Sequence, residues 1–97
     1  MGIVFISEYA DSGFVTGPVA VGKEPAISNQ LVTSAVGTAQ SAAFKSNTRL
    51  VRIHTDTAIF YRFGTNPTAV TATDAKMAAN QTEYFQVMPG DKIAVIL

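Results

Sequence analysis

The amino-acid sequence predicts an all-β fold, a single small β-sandwich or jelly-roll-like domain of about eight short antiparallel strands over residues 1–97. Three observations predict it. β-Branched and aromatic residues recur in short runs where apolar and polar positions alternate, which is the period of a half-buried strand. Glycine, proline and Asx turn formers separate those runs at intervals of about 8 to 12 residues. At 97 residues, the chain has the size of one domain with one core.

From the N terminus, the expected strands are Ile3 to Tyr9, Val15 to Val21, Gln30 to Val36, Ser41 to Phe44, Arg49 to Thr55, Thr57 to Phe63, Tyr84 to Met88 and Lys92 to Leu97. Asp11-Ser12-Gly13, Gly22-Lys23-Glu24-Pro25, Ser46-Asn47, Gly64-Thr65-Asn66-Pro67 and Pro89-Gly90-Asp91 punctuate them. Each cluster supplies a fixed φ, a permissive φ or a side chain that bonds its own backbone. The stretch AVTATDAKMAAN, Ala69 to Asn80, is alanine-rich and places Asp74 where an N-cap would sit, so a single helical turn over Asp74 to Ala79 competes with a loop. A loop is favoured, and the connection from 64 to 82 is long enough to suggest a function or a bound neighbour. The small side chains of AVGTAQSAAF, Ala35 to Phe44, permit close approach of another backbone as easily as they permit a helix.

Alternation assigns faces in the C-terminal half. Val51 and Ile53, then Ile59, Tyr61 and Phe63, then Phe85 with Val87, and finally Ile93, Val95 and Leu97 form one inward set. The final strand is therefore expected to be paired and covered. The opposite set carries Leu50, Phe60, Tyr84, Met88 and Ile96 among Arg52, His54, Arg62, Gln86 and Lys92, which is too apolar for a solvated face. Interface cores favour aromatics, Met and Arg, so Leu50, Phe60, Arg62, Tyr84 and Met88 are the candidate protein-interface residues. The alternative is that the N-terminal strands cover this face.

Composition narrows the function. Charged residues make up 14% of the chain and the formal net charge is zero, against about 25% charged residues in an ordinary domain. The seven Lys and Arg are scattered, so the electrostatic footprint of a nucleic-acid binder is missing. The apolar opening GIVFI is followed by Ser7 and Glu8 and has no basic flank, which reads as neither a signal peptide nor a membrane span. Synthesis in the cytoplasm, with no direct nucleic-acid or membrane partner, is the expectation. Without cysteine there is no thiol nucleophile or thiolate metal site.

His54 lies two positions from Asp56 in RIHTDT, where a strand would put both on one face. A base with its orienting carboxyl still needs a nucleophile, and no Ser sits in a G-x-S-x-G elbow, so a surface or strand-end histidine is preferred. Glu8, Asp11, Glu24, Asp56, Asp74, Glu83 and Asp91 do not follow calcium-loop spacing, and turn roles are assigned to them. Gly13, Gly17 and Gly22 match neither phosphate-binding pattern. Asn80-Gln81-Thr82 is a formal sequon read as incidental. No catalytic residue, metal site or cofactor is assigned.

The run FGTNPTAVTATDAKMAANQTEYFQVMPGDKIAVI, following TRLVRIHTDTAIFYRF, resembles small virion proteins encoded in the structural-gene regions of tailed bacteriophages and prophages. The carrying pattern is FG-x-NPTA, a loop, then EYF-x-V-x-PG-x-KIAVI, and it covers residues 49–97. The resemblance implies a non-enzymatic β-sandwich part of the phage particle, a capsid decoration or cement protein. Its implied partners are the major capsid protein or other virion proteins and further copies of itself, a trimer being one candidate. The alternative is a β-sandwich ligand-binding module, for carbohydrate or host receptor, on a fibre or tail. A cupin-like enzyme is disfavoured because one histidine cannot build a multi-histidine metal site.

Overall fold

The computed structural model describes residues 2–10, 12–14, 18–22, 25–71 and 73–97, with the backbone alone at 12–14 and 18–22. The strands are β1 (Gly2–Tyr9), β2 (Ser12–Phe14), β3 (Pro18–Gly22), β4 (Ser28–Ser34), β5 (Ala39–Gln40), β6 (Leu50–Thr55), β7 (Ile59–Gly64), β8 (Ala75–Met77), β9 (Gln81–Gln86) and β10 (Lys92–Ile96). No helix forms among the described residues. Two four-stranded sheets, in the orders β4-β1-β6-β9 and β5-β10-β7-β8, face each other, and β2 with β3 makes a separate hairpin. Every pairing is antiparallel. The all-β sandwich expected from periodicity is the observed architecture.

The pairing has a simple origin in the chain. From Leu50↔Gln86 in β6–β9 to Ile59↔Met77 in β7–β8, both halves advance by the same number of residues. Ala39↔Val95 in β5–β10 continues that ribbon outward with a short slip. Successive pairs of this one long hairpin fall alternately into the second, first and second sheets, which is how a jelly roll is wound. The next place outward, beside β4, is filled by β1 in an unbroken register from Gly2↔Ser34 to Glu8↔Ser28. At the same spot the Leu97 N–H donates to the Ala35 carbonyl at 2.9 Å.

Val4, Ile6, Val51 and Ile53 from one sheet close on Ile59, Met77, Ile93 and Val95 from the other, all essentially without exposure. Full burial of an aliphatic side chain of this size is worth about 1.5 to 3 kcal/mol, so these positions dominate the stability. Tyr61, Phe63 and Phe85 extend the core with ring centroids 5.0 to 6.0 Å apart, in the tilted and edge-on geometries that aromatic quadrupoles favour. Burial, and then the Glu83 carboxyl, raises the Tyr61 phenol above its ordinary range.

Several expected elements differ. Residues 15–17 lie outside the described residues, and β3 is the described part of the expected Val15 to Val21 strand. Ser41 to Phe44 is not a ladder strand, because its bonds go partly to side chains. The Ala42 N–H donates to Gln30 Oε1, and the Ser41 hydroxyl accepts from the Ile93 N–H. Tyr84 to Met88 shifts to Gln81–Gln86, since Asn80 at φ 61° makes the turn from β8. Within the expected loop, Ala75–Met77 is a strand, stabilised by Met77 opposite Ile59 in the core. The turn at Pro89-Gly90-Asp91 is as expected, with Gly90 at φ 84°, a backbone angle that glycine adopts freely.

The C-terminal strands divide between two sheets rather than sharing one. In the second sheet the outward row runs Gln40, Ala94, Arg62, yet Ala94 is fully buried. Residues 65–71 and 73–74 lie over it. Gln40 Nε2 donates to Asn66 Oδ1 and to the Pro67 carbonyl, the Ala69 N–H donates to Thr38 Oγ1, and Thr71 Oγ1 donates to the Leu97 carbonyl. The segment ends at Asp74, which accepts from the Val70 N–H at 2.7 Å and from the Arg62 guanidinium at 2.6 Å. β10 is thus buried on both faces at its centre, as its IAV run of buried residues requires.

Glu8, assigned a turn role from sequence, instead lies inside β1 at 1% exposure. Its Oε1 accepts from the Lys45 N–H and the Thr48 hydroxyl, both at 2.8 Å, and its Oε2 accepts from Gln30 Nε2 at 3.2 Å. The carboxyl therefore pins the 41–49 crossover to the first sheet. Glu8→Ala leaves the buried Thr48 hydroxyl and the part-buried Lys45 N–H and Gln30 amide without this acceptor and should cost about 2 to 4 kcal/mol in urea unfolding. The Val70 N–H, followed by Arg62, holds the Asp74 carboxyl below its usual range. The stabilisation is present above the ordinary aspartate pKa and is lost as pH falls through the lowered one. Asp74→Asn should therefore unfold at lower urea than the parent at about pH 7, with the gap closing towards about pH 2.

Candidate docking face

The outward side of the first sheet can be read row by row from its register. Thr33 lies beside Ile3. Next comes the row Leu31, Phe5, His54, Thr82, followed by Asn29, Ser7, Arg52, Tyr84 and then by Tyr9, Leu50, Gln86. The last row lies where β3 approaches β6 and β9, and Tyr9 and Leu50 are buried there. The other rows are open. Ile3, Phe5 and Leu31 remain 38%, 40% and 63% exposed although all three sit on regular strands.

Two pairs of polar side chains around these residues bond to each other. Ser7 Oγ donates to Asn29 Oδ1 at 2.5 Å, and His54 Nδ1 lies 2.7 Å from Thr82 Oγ1. The His54 and Phe5 rings lie side by side, with centroids 6.1 Å apart. A shallow groove of about 590 Å³ runs over this area between Leu31 and Thr82. With Ser7 bonded to Asn29, His54 to Thr82, and Arg52 the one Lys or Arg in those rows, such a surface presents few charges for an apolar partner to desolvate. Asp56 does not orient His54. Its carboxyl accepts from the Ile3 N–H at 2.8 Å. No cluster of three His, Asp or Glu side chains with metal-binding geometry occurs among the described residues.

The five interface candidates do not form one surface. Leu50 is buried under the β3 side of the first sheet, and Tyr84 is half-buried one row away. Met88, 68% exposed, shares with Leu50 a second groove of about 570 Å³ beyond the end of β9. Phe60 and Arg62 lie outward on the other sheet and have partners within the chain, Lys76 Nζ at 5.6 Å from the Phe60 ring and Asp74 for Arg62. Sequence reasoning missed Ile3, Phe5 and Leu31. The available signal was the unbroken apolar run GIVFI, since a strand apolar at every position has apolar groups on both faces.

This geometry separates two leucines. Leu50→Ala should cost about 2 to 5 kcal/mol as a cavity in a packed site, while Leu31→Ala should stay within about 0.5 kcal/mol of the parent. Thermal melts followed by circular dichroism measure both. No protein-family model, no curated protein and no solved structure matches this chain.

Proposed function

We propose that this chain is a non-enzymatic structural protein of a tailed-phage particle, which docks on the capsid as a decoration or cement protein and self-associates. The observation that carries the docking reading is the open apolar set Ile3, Phe5 and Leu31, presented on a sheet where Ser7 bonds Asn29 and His54 bonds Thr82. Complementarity between rigid surfaces limits the ordering cost of association. The virion setting rests on the resemblance of residues 49–97, and the low charge of the chain suits contact through apolar and polar surface rather than steering by charge.

Particles purified from cells carrying the gene test this reading. The parent chain should co-sediment with the major capsid protein, and Phe5→Asp should be lost from particles while the recombinant variant melts within a few degrees of the parent, as substitutions at exposed sites do. Particles without the parent chain, or with the variant retained at the parental level, overturn it. Localisation of the chain to the tail or fibres by electron microscopy replaces capsid decoration with a ligand-binding module.

A further inference from the structure

β4 is an edge strand. Among the described residues it has β1 on one side and no hydrogen-bonded strand on the other. Edge strands display unpaired N–H and C=O groups, and monomeric proteins blunt them with shortness, charge, proline or cover. The other three edges of the sandwich have such devices. β5 spans two residues, and β8 spans three with Lys76 at its centre. β9 carries Glu83, begins beside the left-handed turn at Asn80 and is approached by β3. β4 lacks shortness, charge and proline, and the segment that approaches it, β5 with Ala42 bonded to Gln30, lies on its core-facing side, where Gln30 stands beside Ile6. Its seven residues, SNQLVTS, include no charge, proline or glycine, and its register with β1 runs without a bulge. Its central residue, Leu31, is the most exposed of the three apolar residues on the open face.

We infer that β4 pairs with β4 of a second copy of this chain, antiparallel about a two-fold axis at Leu31. The strand is self-complementary under that operation. Leu31 meets its own counterpart, Gln30 meets Val32, Asn29 meets Thr33 and Ser28 meets Ser34, so no like charges oppose each other. The two first sheets become one continuous sheet with a central apolar strip of Phe5 and Leu31 from both copies. This names the partner in the self-association proposed above and rests on that reading, whereas docking through Phe5 does not require it.

The chain has no cysteine, so single introduced thiols report the geometry. Directly opposed residues bring their Cβ atoms within about 4.5 to 5.5 Å, and Leu31→Cys in the full chain should form a covalent dimer on mild oxidation. Phe5→Cys should not, because three strand spacings, roughly 14 Å, would separate it from its counterpart. In sedimentation velocity the parent should run at twice the mass of Leu31→Lys, whose paired ammonium groups repel, while both keep the same β-sheet circular dichroism spectrum and melt cooperatively. A parent that stays monomeric at every concentration, a dimeric Leu31→Lys, or equal crosslinking of the two cysteine variants overturns the inference. Crosslinking at Phe5→Cys alone places the copies face to face and also overturns it. A monomer that still co-sediments with particles removes the dimer and leaves the docking reading standing; a dimer absent from particles does the reverse.

Discussion

Between residues 39 and 95, one antiparallel ribbon passes through the pairs β5–β10, β6–β9 and β7–β8, and its apolar side is too large to leave in water. Rolling the ribbon so that successive pairs lie in opposite sheets lets Val51 and Ile53 face Ile59, Met77, Ile93 and Val95. The rest of the molecule follows from that roll. The roll leaves a vacant position beside β6, which β1 fills with Val4 and Ile6 turned into the core. It also leaves both outer surfaces to be dealt with. Residues 65–71 and 73–74 cover part of one, and β3 approaches an end of the other. What remains open is the row of Leu31 and Phe5 with Ile3 beside it, so the candidate docking face is the part of the roll that the chain's own segments leave bare.

A buried carboxyl completes this arrangement. The crossover from β5 to β6 passes outside the ladders, and its backbone donors have to be met where water is scarce. Glu8 accepts from the Lys45 N–H and from Thr48, and Gln30 binds Ala42 through both its amide atoms. Two polar side chains on neighbouring strands thus do for the crossover what a further strand would otherwise do. Among the described residues, no buried side-chain polar atom lacks a partner.

Much of the fold was legible because period-2 alternation depends only on local chain geometry. Val51 and Ile53, Ile59, and Ile93 with Val95 were assigned inward from that signal alone, and they form the core. Alternation does not say which sheet a strand joins, so Leu50 and Phe60, both outward, were placed on one surface although two sheets separate them. β8 escaped because three residues containing Ala75 and Lys76 show no pattern until Met77 is seen opposite Ile59. The cover over Leu50 and the burial of Glu8 come from segments distant in sequence, for which no local pattern exists. For the open face, Ile3 and Phe5 were readable in GIVFI, but Leu31 joins them only through the β1–β4 register.

The roll also has its first and last strands meeting at one place. Gly2 pairs with Ser34, and the Leu97 N–H bonds to the Ala35 carbonyl, so residues 2 and 97 contact adjacent residues. A strand following β10 would be guided towards the position that β1 occupies, and the packing has no means of distinguishing a closing strand that arrives first from one that arrives last. Chain order here is a matter of where a nearly circular path is cut. A circular permutant with 97 joined to 2 and new ends in an exposed turn would keep every ladder of the sandwich, and it would place β1 after β4 and β6 in chain order, so that its partners exist before it does.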